Sequence, residues 1–202
     1  MKRIAAVGLL SVGFAASQMA GADTAGAGAY LGAGLGQSYV RSVEHAAYAT
    51  WNEDDTNTVW KIFGGYRFNP YLGVEAAYTD LGKGGFSYAN PGLNGSGRLS
   101  SHTFSVAATG RLPLANSLAL LGKLGVASVT NKTSDAWNTG SFSGRRSTTV
   151  PLLGIGAEYA VTRNVGVRAE YEAYGKSEYA SAASANPRLR TDAFTIGVGY
   201  HF

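Results

Sequence analysis

From Ala29 onward the chain repeats one unit, a stretch of ten or so residues in which large apolar side chains take every second position, followed by a break. The last stretch shows it most clearly. Phe194, Ile196, Val198, Tyr200 and Phe202 alternate with Thr195, Gly197, Gly199 and His201. Successive strand side chains point to opposite faces, so one face is wholly apolar and the other small or polar. Eight such stretches are expected, near Ala29–Val40, Asn57–Phe68, Tyr71–Gly82, Leu99–Leu112, Ser117–Thr130, Ser147–Val161, Val165–Gly175 and Arg190–Phe202. A tilted strand of about nine to eleven residues crosses a bilayer, whereas strands of soluble sheets average about five or six. Pro151 is expected near the start of its strand, where a missing N–H is tolerated.

The breaks alternate in length. Asn69–Pro70, Pro113–Asn116 and Thr162–Asn164 read as tight turns, while 41–56, 83–98, 131–146 and 176–189 read as four long, polar, Gly- and Ser-rich connections. Short turns at one end and long loops at the other are the layout of an outer-membrane barrel.

The two faces agree with that layout. On the alternate positions that continue the apolar face lie Trp60, Ile62, Tyr66 and Phe68, then Leu72, Val74, Ala76 and Tyr78, Leu153, Ile155, Ala157 and Tyr159, and Val165, Val167, Ala169 and Tyr171. The opposite face carries Lys61, Arg67, Glu75, Thr109, Arg111, Lys123, Glu158, Arg168, Glu170 and Glu172. Apolar outside and polar inside is the pattern of a barrel in lipid, and aromatics gathered near both strand ends match its interfacial girdles. The last strand must pair with the first, because an open edge in hydrocarbon leaves backbone groups unpaired. The fold class is therefore all-β, an eight-stranded antiparallel transmembrane β-barrel with up-and-down meander topology.

Composition refines this picture. The 202 residues suit one domain and include 28 Gly and no Cys, which excludes disulfides and thiolate metal sites. Lys2 and Arg3, the apolar stretch after them and the small residues Ala20 and Ala22 read as a secretory signal over residues 1–22, cut after Ala22 or Ala20, with the barrel domain at 23–202. Lys2 and Arg3 supply two of the formal +4 charges, and no basic stripe remains, so nucleic acid is not an expected partner.

Eight strands enclose an interior just wide enough for side chains, so lumenal charges must pair. Glu75, Glu158, Glu170 and Glu172 face Lys61, Arg67, Lys123 and Arg168 as a candidate network, read either as a polar core that fixes closure or as a gated ion path. No cofactor is expected. Glu53, Asp54 and Asp55 lack the spaced ligands and Gly of a calcium loop, so no metal site is expected either. The long connections carry the aromatics Trp51, Phe86, Tyr88, Trp137, Phe142 and Tyr179, suited to a host or surface ligand. They also carry Lys132, Arg145, Arg146, Lys176 and Arg188, suited to lipopolysaccharide phosphates.

The segments "FGGYRFNPYLGVEAAYTDLG", "LLGIGAEYAVTRNVGVRAEY" and "TIGVGYHF" resemble the transmembrane domain of the OmpA family and small outer-membrane proteins of the OmpX/Ail type, over residues 29–202. The resemblance implies a cell outer membrane location in a Gram-negative bacterium. It implies a structural or surface-interaction role such as membrane integrity or adhesion, with a narrow gated channel as the alternative. It also implies that Glu75 and Arg168, joined by Glu158, sit at gate positions, although Thr109 stands where the family's strand-four lysine is expected. Arg111, Lys123 or Lys61 is then required in its place. Val198, Tyr200 and Phe202 match the terminal signal read by the barrel-assembly machinery. No peptidoglycan-binding domain follows Phe202, so a cell-wall tether is not expected.

Some small barrels of this kind modify lipid A, and acyl chemistry needs a serine activated by an oriented histidine. Phe104 stands where the serine of a His-x-Ser pair with His102 belongs, His201 faces the lumen, and His45 has only Glu44 and Ser42 nearby in a loop. The expected protein is not an enzyme.

Overall fold

The computed structural model describes residues 27–42, 56–90, 93–137, 140–178 and 188–202. Within them run eight strands: β1 (Gly28–Ser42), β2 (Thr56–Arg67), β3 (Leu72–Asn90), β4 (Leu93–Pro113), β5 (Leu118–Trp137), β6 (Gly140–Ala160), β7 (Val165–Glu178) and β8 (Arg188–His201). Each pairs antiparallel with its neighbour, and β8 closes on β1 from Tyr30↔His201 to Ser42↔Leu189. The signal segment 1–22 lies outside the described residues, as do His45, Trp51, Glu53, Asp54, Asp55 and Tyr179.

The alternation sorts side chains as the sequence pattern predicts. Leu31, Leu35, Ile62, Phe104, Val106, Leu124, Val126, Leu153, Ile155, Ile196 and Val198 are exposed on the outer wall, with Leu124 and Ile155 each 65% accessible. Lys61, Glu75, Lys123, Arg168, Glu170 and Glu172 are buried inside. On β4 the outward apolar set from Phe104 to Leu112 runs about 26 Å along the strand, or about 20 Å along the axis at ~40° tilt, close to the apolar belt such barrels need.

Two of the three short turns are held by their own side chains, and the third, at residues 113–116, by backbone bonds from the Leu114 and Ala115 amides to the Leu118 carbonyl at 2.8 and 3.1 Å. Asn69 Oδ1 accepts from the Tyr71 and Leu72 amides at 2.8 and 2.9 Å. Thr162 Oγ1 accepts from the Val165 amide at 2.9 Å, and Asn164 Nδ2 donates to the His201 carbonyl at 2.7 Å. Asx and Ser/Thr turns of this kind reverse the chain with acceptors of their own, and Asn164 also ties the β6–β7 turn to the end of β8.

Two of the four expected loops are something else. Most of 83–98 and 131–146 is strand, because β3, β4, β5 and β6 extend to 19, 21, 20 and 21 residues whereas β1, β2, β7 and β8 have 12 to 15. The β3–β4 ladder continues to Asn90↔Leu93 and the β5–β6 ladder to Trp137↔Gly140, so these connections are long hairpins. Pro151 consequently lies in the middle of β6, not near its start. Its ring lies on the side of β7, beside Gly175, one residue beyond the point at which the β6–β7 ladder ends at Leu152↔Tyr174. A missing donor there interrupts no pairing across to β7.

Bulges mark where the wall leaves the barrel. β3 gains a residue between Asp80 and Lys83, with Gly82 at φ 90° and its amide bonded to Asp80 Oδ1 at 2.9 Å; a left-handed residue at a bulge favours Gly. β7 gains one between Tyr174 and Ser177. Beyond these points β3–β6 continue as a four-stranded sheet above one side of the rim.

Candidate functional site

The lumen is filled in layers. Lowest, beside the short turns, Glu158 Oε1 is shared by Arg67 Nη2 at 3.4 Å and Arg111 Nε at 3.3 Å, with His201 Nε2 3.9 Å from the other oxygen. These groups border a cavity of about 260 Å³ that opens among Arg163, Asn164 and Phe202.

The next layers form a balanced network of three cations and three carboxylates. Glu75 accepts from Lys123 Nζ at 2.5 Å, Arg168 Nη1 at 2.9 Å and the Tyr30 hydroxyl at 3.1 Å. Glu172 accepts from Lys61 Nζ at 2.5 Å, Lys123 Nζ at 3.1 Å and the Tyr174 hydroxyl at 2.9 Å. Glu170 takes Lys61 at 3.1 Å, Lys123 at 2.7 Å and Arg168 at 3.0 Å. The Arg168 guanidinium lies over the Phe63 ring at 4.4 Å from its centroid. Burial of an unpaired charge is costly, and here each charge meets at least two of opposite sign. The three carboxylates converge within 4.8 Å, with the lysine ammonium groups bonded to them.

The sequence-predicted residues divide between two clusters. Glu75, Arg168, Lys123, Lys61 and Glu170 come together, whereas Glu158 belongs to the lower cluster with Arg67 and Arg111. Glu158 is the register partner of Arg168, yet the Arg168 guanidinium bonds to Glu75 and Glu170. Lys123 and Lys61 supply the lysine contacts that Thr109 cannot, and Arg111 does not take part. Sequence reasoning missed Tyr30, Phe63 and Tyr174. Their inward parity was the available signal, since Tyr30 and Phe63 fall on the face opposite the lipid-facing set.

Backbone packing explains how such large groups fit. A Cβ on Gly32 would collide with the Phe63 ring, and one on Gly65 with the Tyr30 hydroxyl, so glycines opposite the large side chains give them their seats. Above the charges, Leu81, Val129, Val150, Leu152 and Tyr174 form a buried apolar layer across the outer half of the lumen.

Outside the barrel, rings mark the upper boundary of the apolar belt. Trp60 and Tyr78 lie 5.4 Å apart and Tyr78 and His102 6.0 Å apart. At the lower end Tyr66 pairs with Phe68 at 5.7 Å and Tyr200 with Phe202 at 5.1 Å. Val198, Tyr200 and Phe202 all project outward there.

A closed eight-stranded meander with an apolar outer wall and an ionic lumen defines a transmembrane β-barrel of the outer-membrane kind. Residues 6–202 match the outer membrane protein beta-barrel domain family, and the chain belongs to it and to the outer membrane. It is 31% identical over 143 residues to outer membrane protein A of Klebsiella pneumoniae and 32% identical over 145 residues to that of Yersinia pseudotuberculosis, in each case over 69% of this chain. It spans 40% and 38% of the length of those relatives. Among solved structures it matches Ail, the attachment invasion locus protein of Yersinia pestis, with a TM-score of 0.58 and 19% identity, covering 87% of this chain and 99% of that one. Neisserial surface protein A matches with a TM-score of 0.56 and 19% identity, covering 86% and 97%. These likenesses concern the fold.

Proposed function

We propose that the protein is a non-catalytic surface barrel that contacts partners outside the cell, such as a host or surface ligand, through the sheet formed by the upper halves of β3–β6. The observation that carries this reading is the length difference: four strands of 19 to 21 residues continue past the apolar belt while their neighbours stop. Among the described residues the upper part of β6, residues 140–151, pairs only with β5, and residues 83–90 of β3 pair only with β4. A rigid sheet on a membrane-anchored base holds contact residues at fixed separations, which a flexible loop does not. Surface attachment is in keeping with a fold shared with Ail. Terminal assembly through Val198, Tyr200 and Phe202 belongs to the same reading. The experiment is deletion of residues 88–95 and 135–142, which leaves the register pairs Ser87↔Ser96 and Ser134↔Ser143 to close shorter hairpins. Bacteria displaying the shortened chain are expected to fold the barrel and lose attachment to an epithelial cell layer. Undiminished attachment would sink the reading.

The lumenal network supports a second reading, a narrow ion path gated by Glu75 and Arg168, because Lys123 and Lys61 complete the cation set around Glu75. The apolar layer above it must also part for an ion to pass. Planar-bilayer recordings of wild type, Glu75→Ala and Arg168→Ala test it. Openings that change in either variant are the expected result, and silence in all three, with folding verified, leaves a closed polar core.

A further inference from the structure

The short turns surround a mouth that the lumenal side chains leave unfilled. Arg67 at the end of β2, Arg111 on β4, Glu158 on β6, His201 on β8 and Arg163 in the β6–β7 turn border its cavity of about 260 Å³. Three guanidinium groups thus face one side-chain carboxylate, and a terminal carboxylate at Phe202 raises the acidic count only to two. In the layers above, by contrast, three cations meet three carboxylates. The surplus of positive charge is confined to this end of the lumen.

Glu158 does not use up its partners. Arg67 Nη2 and Arg111 Nε reach the same carboxylate oxygen, at 3.4 and 3.3 Å, and His201 Nε2 stands 3.9 Å from the other. Each guanidinium carries five N–H donors, so most of those on Arg67 and Arg111 are left for another acceptor. Their side chains are 18% and 20% accessible against 6% for Glu158, so the carboxylate is enclosed and the donors are open. Arg163 is exposed at the rim and makes no salt bridge among the described residues. The cations continue inward, since Arg67 and Arg168 flank the Tyr30 ring at 5.8 and 5.9 Å from its centroid. Arg168 Nε is buried with no hydrogen-bond partner among the described residues, and Arg168 borders a second space of about 10 Å³ that shares Arg67 and Arg111 with the first.

We infer that this mouth is a binding site for a small soluble oxyanion, a dicarboxylate or a phosphate, held by Arg67, Arg111 and Arg163 and taken from the periplasmic side. Guanidinium forks match the paired oxygens of either group, and a surplus of them favours an anion with more than one negative charge. The volume lies below the roughly 300–1,000 Å³ of sites for drug-sized ligands, which keeps the occupant small. Like charges repel, so the anion takes the guanidinium edges turned away from Glu158. Short turns of such barrels face the periplasm, and the apolar layer in the outer half of the lumen bars the way from the other end. The site needs neither the projecting sheet nor conduction, so it stands apart from both functional readings. Sequence reading placed Arg67 and Arg111 in the lumen; Arg163 joins them only through the fold of its turn.

The test is an NMR titration of the refolded, isotope-labelled barrel in maltoside micelles, with succinate and, in a separate series, inorganic phosphate, at ionic strength held constant with sodium chloride. The amide resonances of Asn164, Gly166 and His201 report on the mouth. Arg111→Gln removes one fork and leaves Arg67 on Glu158. Gly166→Leu keeps every charge and fills the cavity instead; a Cβ on Gly166 comes no nearer than 3.4 Å to its closest neighbour, Glu158 Cγ, so the strand accepts it. Lys176→Gln loses the same charge at an exposed position at the far end of β7. Heat-modifiable gel mobility establishes the folding of each variant. The site predicts saturable shifts at the mouth with at least one anion, an affinity lowered at least about tenfold by Arg111→Gln and by Gly166→Leu, and little change in Lys176→Gln. Saturation with succinate alone identifies a carboxylate site, and with phosphate alone a phosphate site. Absence of saturable shifts with both anions, wild-type affinity in Gly166→Leu, or equal losses in Arg111→Gln and Lys176→Gln would overturn it.

Discussion

Each buried charge in the lumen is held by at least two partners, so its removal is felt by what it leaves behind. Lys61 is 1% exposed and touches Glu172 and Glu170. Lys61→Met leaves three buried carboxylates against Lys123 and Arg168, and breaking such a pair costs about 3–5 kcal/mol. Arg67→Met should cost much less, because Arg111 still meets Glu158 and both guanidiniums reach water. Urea unfolding in lipid vesicles measures this, and adding Glu172→Gln to Lys61→Met should recover much of the loss. Equal midpoints for Lys61→Met and Arg67→Met would refute the balanced network. Parity alone exposed the charged members of this network in the sequence. It did not show which carboxylate each cation chooses, because rotamers of long side chains decide whether Arg168 turns toward Glu75 or toward its register partner Glu158.

Strands that face lipid announce themselves, since hydrocarbon demands an apolar residue at every second position; Leu120, Leu124 and Val126 on β5 are examples. Higher on the same strand, Lys132 and Ser134 face water outside while Asn131 and Thr133 face the rim, so the two faces no longer differ in polarity. The backbone ladder nonetheless continues, because pairing needs no apolar face. For that reason the crossing segments were legible in the sequence and the extensions at 83–98 and 131–146 read as loops. Gly97, Gly140 and Gly144 strengthened the loop reading, although all three lie in the hairpin ladders. The short turns were legible because Asn69, Thr162 and Asn164 carry their own hydrogen-bond acceptors and donors.

Taken whole, the molecule is a plugged cylinder with a wall on one side. An ionic middle and an apolar upper layer fill the lumen, and the outer surface changes from apolar to aromatic to basic as β3–β6 rise from the membrane. Function on such a fold belongs to what it presents rather than to the cylinder itself. The decisive measurement uses the absence of cysteine from the chain: single Cys substitutions from Leu118 to Ala136, spin-labelled in bilayers and probed with oxygen and a water-soluble nickel complex. Labels at Leu120, Leu124 and Val126 should favour oxygen and those at Lys132, Ser134 and Ala136 the nickel complex, with period-2 alternation and strand-like immobility continuing to the upper end. Free mobility and loss of alternation above Thr130 would show that the wall does not exist.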